Sequence, residues 1–402
     1  MYENIMQCSY NLNSIKDLQE IIGNPSKDNI NEKNFKYLQW LYNNKIYHIL
    51  KYNKCKLNEN PELGLCRSII FSNGEINVFS PPKSVTFESF KNKYNIQEVF
   101  CEEIIEGTMI NLFYDKEKIC WNIATKSSVG GKIKYFQDQP KFNELFEEIC
   151  DFLNLDLEDF DKNLMYSFVM QHPKNRIVLP CPAMKLYLIS IYKIQKLEIE
   201  EIPRENYNLL NMNKIFCKLW FPYRFISESY ERLQNDFGSL NTHIYCIGVM
   251  IKSYDGNRTK IINPNYKNIK DLKGNNSKLQ YQYMCLRKDN KVKDYLFYFP
   301  EAKNDFSKFR KQIHDYTSEL FTNYISCFIK KENELKNYAL NFRIHMYNLH
   351  QKYITIKENK GYINRNYVIN YVNSLEPAEL MYAINYSMRQ LGYGYIYNSR
   401  TE

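Results

Sequence analysis

The sequence predicts an α+β domain over residues 1–265, followed by an all-helical domain over residues 266–402. Three observations carry this. Up to about residue 265, short runs rich in apolar, β-branched and aromatic residues alternate with turn signals and a few helical stretches. Asn73-Gly74 marks a tight hairpin between Leu65-Cys66-Arg67-Ser68-Ile69-Ile70-Phe71 and Ile76-Asn77-Val78-Phe79, because both turn residues tolerate the left-handed backbone such a turn needs. From Ala302 to Leu349 the period changes. Phe309, Ile313, Tyr316, Leu320, Tyr324 and Phe328 recur three or four residues apart, the spacing of one helix face.

The elements follow in order. Residues 13–50 read as one or two short helices leading into a strand at Ile46–Tyr52. After the Asn73-Gly74 hairpin comes a second one: Thr108–Tyr114, the charged turn Asp115–Lys118, then Ile119–Ala124. Residues 141–161 are acidic and helical, with Phe142, Leu145, Phe146 and Ile149 on one face. Strand-like runs return at Leu164–Met170, Arg176–Val178, Leu186–Ile194 and Tyr245–Lys252. In the second domain, helices are expected at Tyr367–Leu375 and Ala378–Leu391, with Pro377 in the first turn. No internal repeat or long linker separates the domains, so they are expected to pack together.

Composition narrows the class. The 402 residues suffice for two domains with ample cores, and 44% hydrophobic and 25% charged residues are ordinary for a folded soluble chain. The 35 tyrosines and 24 phenylalanines are unusual. They offer surfaces for stacking on bases, although abundant Asn, Lys, Ile and Tyr also fit AT-rich coding. The net charge of +9 is compatible with a polyanionic partner without requiring one. Eleven scattered cysteines without a Cys-x-x-Cys pair, and no apolar leader after Met1, suggest reduced thiols and a cytoplasmic location. No apolar run is long enough for a membrane span. The six histidines show no metal-ligand spacing.

Seven segments carry the chemistry. They are Cys66-Arg67-Ser68-Ile69-Ile70-Phe71, Ser80-Pro81-Pro82-Lys83-Ser84, Glu106-Gly107-Thr108-Met109-Ile110, Ala124-Thr125-Lys126-Ser127-Ser128, Phe168–Val178, Gly248-Val249-Met250-Ile251-Lys252 and Arg258-Thr259-Lys260. In this order the series resembles the bacteriophage-type RNA ligase 1 family, and especially the divergent RNA-ligase-like proteins of large cytoplasmic DNA viruses. The resemblance covers roughly residues 45–265. It implies a nucleotidyltransferase (ligase adenylation-domain) fold, two antiparallel sheets with flanking helices enclosing a nucleotide pocket. It also implies a lysine that forms a covalent nucleotide adduct, in chemistry that depends on charge neutralisation and in-line positioning.

The departures bear on activity. Where the family carries Lys-x-Asp/Glu-Gly, the lysine position is Ile104, which has no lone pair to attack a phosphate. The family's glutamates of the third and fourth motifs correspond to Val169 and Ile247. Three polar nodes have become aliphatic together. The expected catalytic set is therefore empty, with Lys83 as a displaced candidate nucleophile in its Pro-Pro-Lys-Ser turn. Retained residues are Arg67, Glu106, Lys126, Arg176, Lys252, Arg258 and Lys260, which the resemblance assigns to nucleotide or RNA contacts.

Each has a plainer reading. Glu106-Gly107 can simply open a strand at a bend, and Arg176 can pair with Glu158 and Asp159. Lys252, Arg258 and Lys260 can form a solvated face. Gly130-Gly131 suits a phosphate nest or an ordinary turn, while Trp121, Phe79 and His172 suit the core. Three functions follow: a non-catalytic binder of RNA or nucleotide, including an mRNA 5′ end or cap; an active ligase using Lys83; or a scaffold. In the scaffold case a protein partner would dock on Tyr316, Phe321, Tyr324, Phe328, Tyr347 and Tyr353. No cofactor or metal is expected, except ATP and Mg²⁺ if the chain is active.

Overall fold

Alternating buried and exposed positions build three antiparallel sheets within residues 1–270. The computed structural model describes residues 8–26, 34–134, 140–276, 278–359 and 361–390, and the chain divides into two units, Met1–Lys270 and Asp271–Glu402. The division falls inside the helix Pro264–Lys273.

The largest sheet has seven strands. In spatial order they are Cys8–Asn11, Glu198–Ile202, Lys185–Gln195, Leu164–Gln171, Thr108–Asp115, Cys120–Thr125 and Ser128–Val129. One face packs on a four-stranded meander, Phe35–Tyr42, Lys45–Tyr52, Ile69–Ser72 and Glu75–Phe79, through Ile49, Ile70, Phe79, Phe113, Met165 and Tyr192. The other face takes the helix Phe142–Leu153, whose Leu145, Phe146 and Ile149 meet Ile110, Leu112 and Phe168. Each such side chain contributes about 2 kcal/mol of burial free energy. The third sheet runs Arg224–Phe225, Val99–Glu103, Gly248–Ser253 and Arg258–Ile262. Its buried face, Val249, Ile251 and Ile261, packs on Phe90 and Leu233 from two short helices, which leaves Lys252, Arg258 and Lys260 on the opposite face.

Both predicted hairpins form. Asn73 and Gly74 adopt φ of 50° and 77°, and Asp115 closes the second turn by accepting from the backbone N–H groups of Glu117 and Lys118. Three expectations need correction. The short helices expected after residue 13 are the 3₁₀ turn Leu12–Ser14 and Leu18–Gly23, but Phe35–Tyr42 is an additional strand, paired with Lys45–Tyr52 through Asn43-Asn44 at φ of 49° and 55°. That strand lies at a sheet edge and is partly exposed on both faces, so it shows no clean alternation. Residues 27–33 lie outside the described chain. Arg176–Val178 is not a strand but follows the 3₁₀ turn Pro173–Asn175, capped by His172 Nδ1 accepting from Lys174 N–H at 3.0 Å. The acidic helix stops at Leu153, where Asn154 turns left-handed at φ 50°.

The second unit contains the helices Leu279–Lys288, Val292–Tyr298, Lys303–Tyr324, Leu340–Ile356, Arg365–Ser374 and Pro377–Ile384. Pro377 occupies the first turn as expected. Lys303–Tyr324 runs into a π-helical turn at Ile325–Ile329. Tyr316, Leu320 and Tyr324 are buried, with Tyr316 stacked on Phe342 at 5.1 Å. The aromatic docking surface is therefore corrected: Tyr316 and Tyr324 are core, Phe321, Phe328 and Tyr353 are half-buried, and Tyr347 is exposed. Among the described residues no helix is long and apolar enough to cross a membrane. All eleven cysteines are free.

Candidate functional site

The loop joining Val99–Glu103 to Thr108–Asp115 carries Ile104, Glu106 and Gly107. Ile104 N–H donates to the Gly248 carbonyl at 3.4 Å, which sets Ile104 beside Gly248 and its neighbour Ile247. At Gly107 a Cβ would stand 2.5 Å from both the Met170 carbonyl oxygen and Val169 Cγ1; at Gly248 it would stand 2.1 Å from the Ile261 carbonyl oxygen. Both positions require glycine because backbone passes too close for any side chain. Ile104, Val169 and Ile247 are thus gathered at two glycine crossings, and each is aliphatic.

A set of basic side chains converges within the same unit. Lys83 N–H donates to the Gly64 carbonyl at 2.9 Å, which ties its loop to the turn Pro61–Cys66 that precedes Arg67. Lys126 sits in the turn after Cys120–Thr125, its carbonyl accepting from Ser68 Oγ at 3.0 Å. Arg258 and Lys260 alternate onto one face of their strand. These five repel one another. Burial, then Arg258, pushes the Arg67 guanidinium down to about 10. Lys83 is lowered by burial and by Arg67, Arg258 and Lys54. Lys126 is lowered by burial and by Arg67, Lys51, Lys54 and Lys83, and Lys260 by burial and by Lys83, Lys270, Arg67 and Arg258. Among the described residues none of the five makes an ion pair. Arg258 is only 8% exposed, and its buried Nε has no hydrogen-bond partner.

Lys252 does not belong to this cluster. It forms an ion pair with Glu102 at 2.6 Å, and Arg224 binds the same carboxylate at 2.8 Å and also Glu205. Burial alone would raise Glu102, but Lys252 and Arg224 outweigh it and hold the carboxyl below its usual range. This network lines a cavity of about 610 Å³ together with Phe100, Leu188 and Arg258. Arg258 therefore faces both the cavity and the cation cluster.

Two other expectations are corrected. The Glu106 oxygens are both engaged: Oε1 accepts from Tyr266 O–H at 2.6 Å and Oε2 from Leu179 N–H at 2.9 Å, so this carboxylate pins its loop. Arg176 donates from Nε to the Val178 carbonyl at 3.0 Å and is not among the leading charges acting on the cluster. Its suggested partner Glu158 pairs with Lys162 instead, at 2.7 Å. Phe79 belongs to the core between the large sheet and the meander, Trp121 is half-buried against the separate core on the sheet's other face, and buried His172 lies 3.0 Å from Glu148.

Sequence reasoning missed several contributors. Lys51 on the strand Lys45–Tyr52, together with Lys54 and Lys270, adds charge to the cluster. Tyr10 O–H donates to Glu201 at 2.8 Å beside the cavity. Only strand alternation hinted at Lys51; Tyr10 and Glu201 meet through pairing almost two hundred residues apart, which leaves no local signal. The donor set suits an anion such as a polyphosphate chain. Among the described residues no group of three or more His, Cys, Asp or Glu is placed to hold a metal ion.

No protein-family model matches the sequence. An "Immediate-early protein ICP-46 homolog" of Invertebrate iridescent virus 3 is 24% identical over 194 residues, covering 45% of this chain and 38% of the relative, so the match spans well under half of that protein. Among solved structures, an archaeal ATP-dependent RNA ligase (form 2) overlaps 70% of this chain and 76% of its own at 14% identity and a TM-score of 0.40. A putative ATP-dependent DNA ligase from Aquifex aeolicus overlaps 73% and 80%, also at 14% identity and a TM-score of 0.40. A TM-score below 0.5 does not establish a common fold.

Proposed function

We propose that this chain is an RNA-ligase-like protein of the nucleotidyltransferase type that binds a phosphate-bearing nucleotide or an RNA 5′ end without reacting with it. The observation that carries this is the cluster of Arg67, Lys83, Lys126, Arg258 and Lys260, without ion-pair partners among the described residues and mutually repelling, in a chain with an aliphatic residue where the motif series would place a nucleophile. Like charges held together at a cost to the fold are relieved by an anion. Arginine supplies planar two-pronged donation to phosphate oxygens and lysine supplies point charge. Nothing at Ile104 can open a phosphoanhydride.

The test has two arms. Incubation with α-labelled ATP or GTP and a divalent cation, then denaturing electrophoresis, is expected to show no labelled protein. Fluorescence anisotropy with a 5′-triphosphorylated RNA oligonucleotide is expected to show binding that its 5′-hydroxyl counterpart matches poorly. Equal binding of the two would remove the phosphate site from the reading.

One observation favours a second reading, in which Lys83 is a displaced nucleophile. Burial and three neighbouring cations lower its pKa, which raises the fraction of free amine. A labelled band that disappears in Lys83→Ala would establish this alternative and end the first.

A further inference from the structure

The helix Leu340–Ile356 is apolar on two opposite faces. One face is used inside its own unit. Phe342, Met346 and Leu349 are buried, and His345 Nδ1 lies 2.9 Å from the Tyr371 hydroxyl. The other face carries Leu340, Ile344, Tyr347 and Ile354, which are 40, 49, 52 and 43% exposed. These positions follow the four–three step of a heptad seam, with Gln351 at the intervening place. At 3.6 residues per turn, all five fall within an arc of about 80°. A helix that is apolar all round is ordinarily enclosed on all sides, yet this stripe is open to solvent.

Charge indicates what would cover it. From Leu340 to Lys357 there is no acidic residue, while Arg343, Lys352 and Lys357 are basic. Arg343 immediately precedes Ile344 at the edge of the stripe, and its Nε has no hydrogen-bond partner. Residues 271–402 as a whole hold 20 lysines and arginines against 13 aspartates and glutamates. Arg343 and Lys357 lie along one edge of the seam, where an antiparallel second copy would set like charge against like. RNA would be attracted by the edges, but Leu340, Ile344 and Ile354 offer no π-face or hydrogen bond to a base. We propose that this stripe is the docking seam for an amphipathic helix of a partner protein whose apolar stripe is flanked by acidic residues. The seam is independent of the cleft and does not rest on the function proposed for it.

The probe is a fluorescent synthetic peptide of four heptads with Leu at the two seam positions and Glu at the flanking ones, titrated with the full-length protein. A peptide with Lys at the flanking positions is the control. The Glu-flanked peptide is expected to bind, more weakly as salt rises, and the Lys-flanked peptide is not. The double variant Ile344→Ser, Ile354→Ser is expected to weaken binding at least about tenfold while its melting temperature stays that of the parent. The proposal is overturned if neither peptide binds, if both bind alike, or if the double variant binds like the parent. It is equally overturned if sedimentation shows the parent dimerising through this face, or if 5′-phosphorylated RNA displaces the peptide.

Discussion

Two sets of basic side chains draw on one face of the third sheet, through Lys252 and Arg224 in one and Arg258 and Lys260 in the other, and differ in one respect. Lys252 and Arg224 share the Glu102 carboxylate, whereas Arg67, Lys83, Lys126, Arg258 and Lys260 have no carboxylate partner among the described residues, and neighbouring cations lower Arg67 and the three lysines. Arg258 is the cross-strand neighbour of Lys252, yet the two fall into different sets. The paired set holds the third sheet together, since Arg224 and Glu102 come from adjacent strands and Lys252 from the next. The unpaired set weakens the fold and is suited to an external anion. Identical residue types are therefore neutralised in one place and left facing one another in the other, according to where a carboxylate stands.

The contrast can be broken most forcefully at Glu102. Glu102→Gln leaves two cations facing a neutral amide and is expected to cost about 3 kcal/mol of stability by chemical denaturation, with RNA affinity nearly unchanged. The folded-state pKa of Glu102 is lowered, so its contribution is present above the ordinary glutamate value of 4.5 and is lost as pH falls through the lower, folded value. The parent should show that acid limb and Glu102→Gln should lack it. A large loss of RNA affinity in this variant would merge the two sets.

Next in size, Arg67→Ala with Lys260→Ala is expected to weaken binding of 5′-triphosphorylated RNA on the order of a hundredfold, taking about 1.5 kcal/mol for each charged hydrogen bond lost. Unfolding free energy should not fall. Unchanged affinity would mean that the cluster is not the site.

Salt sharpens the same contrast. If five cations each neutralise a phosphate on a single strand, the logarithm of affinity should fall with that of salt at a slope of roughly −3. Stability of the Glu102 network, being largely buried, should respond much less. A slope near zero would assign RNA binding, if present, to other contacts.

The smallest effect concerns pH and the empty cluster. Lys83, Lys126 and Lys260 have folded-state values below those of an unfolded lysine. Their protonated forms therefore weaken the fold at neutral pH, and that penalty ends as pH rises through the lowered values. Lys260→Met is accordingly expected to raise the melting temperature slightly at pH 7 and to lose this advantage when polyphosphate is added. A lower melting temperature without ligand would show that Lys260 is already compensated.

Local patterns made much of this legible. Asn73-Gly74, the continuous strand-like run Leu164–Met170 and the helical spacing from Phe309 to Tyr324 each depend on neighbours a few residues away, and all appear in the structure. Phe35–Tyr42 was not legible, because an edge strand exposed on both faces loses its period. The basic residues of the cleft were recognisable as a series, but their roles were not. Lys252 and Lys260 look equivalent in the chain, and the difference lies in Glu102, almost 150 residues earlier. Likewise Glu106 was visible as a carboxylate, but not as one already held by Tyr266 and Leu179.

By itself the sequence determined which side chains carry charge, that Ile104, Val169 and Ile247 are aliphatic, and where strands give way to helices, since side-chain chemistry and local periodicity are properties of the chain. Only the tertiary structure decided which cations are neutralised, which tyrosines are core, and which face of Leu340–Ile356 is left open. Those outcomes depend on Coulomb energies and buried area between residues far apart in the chain, quantities that exist only once the sheets and helices have closed on one another.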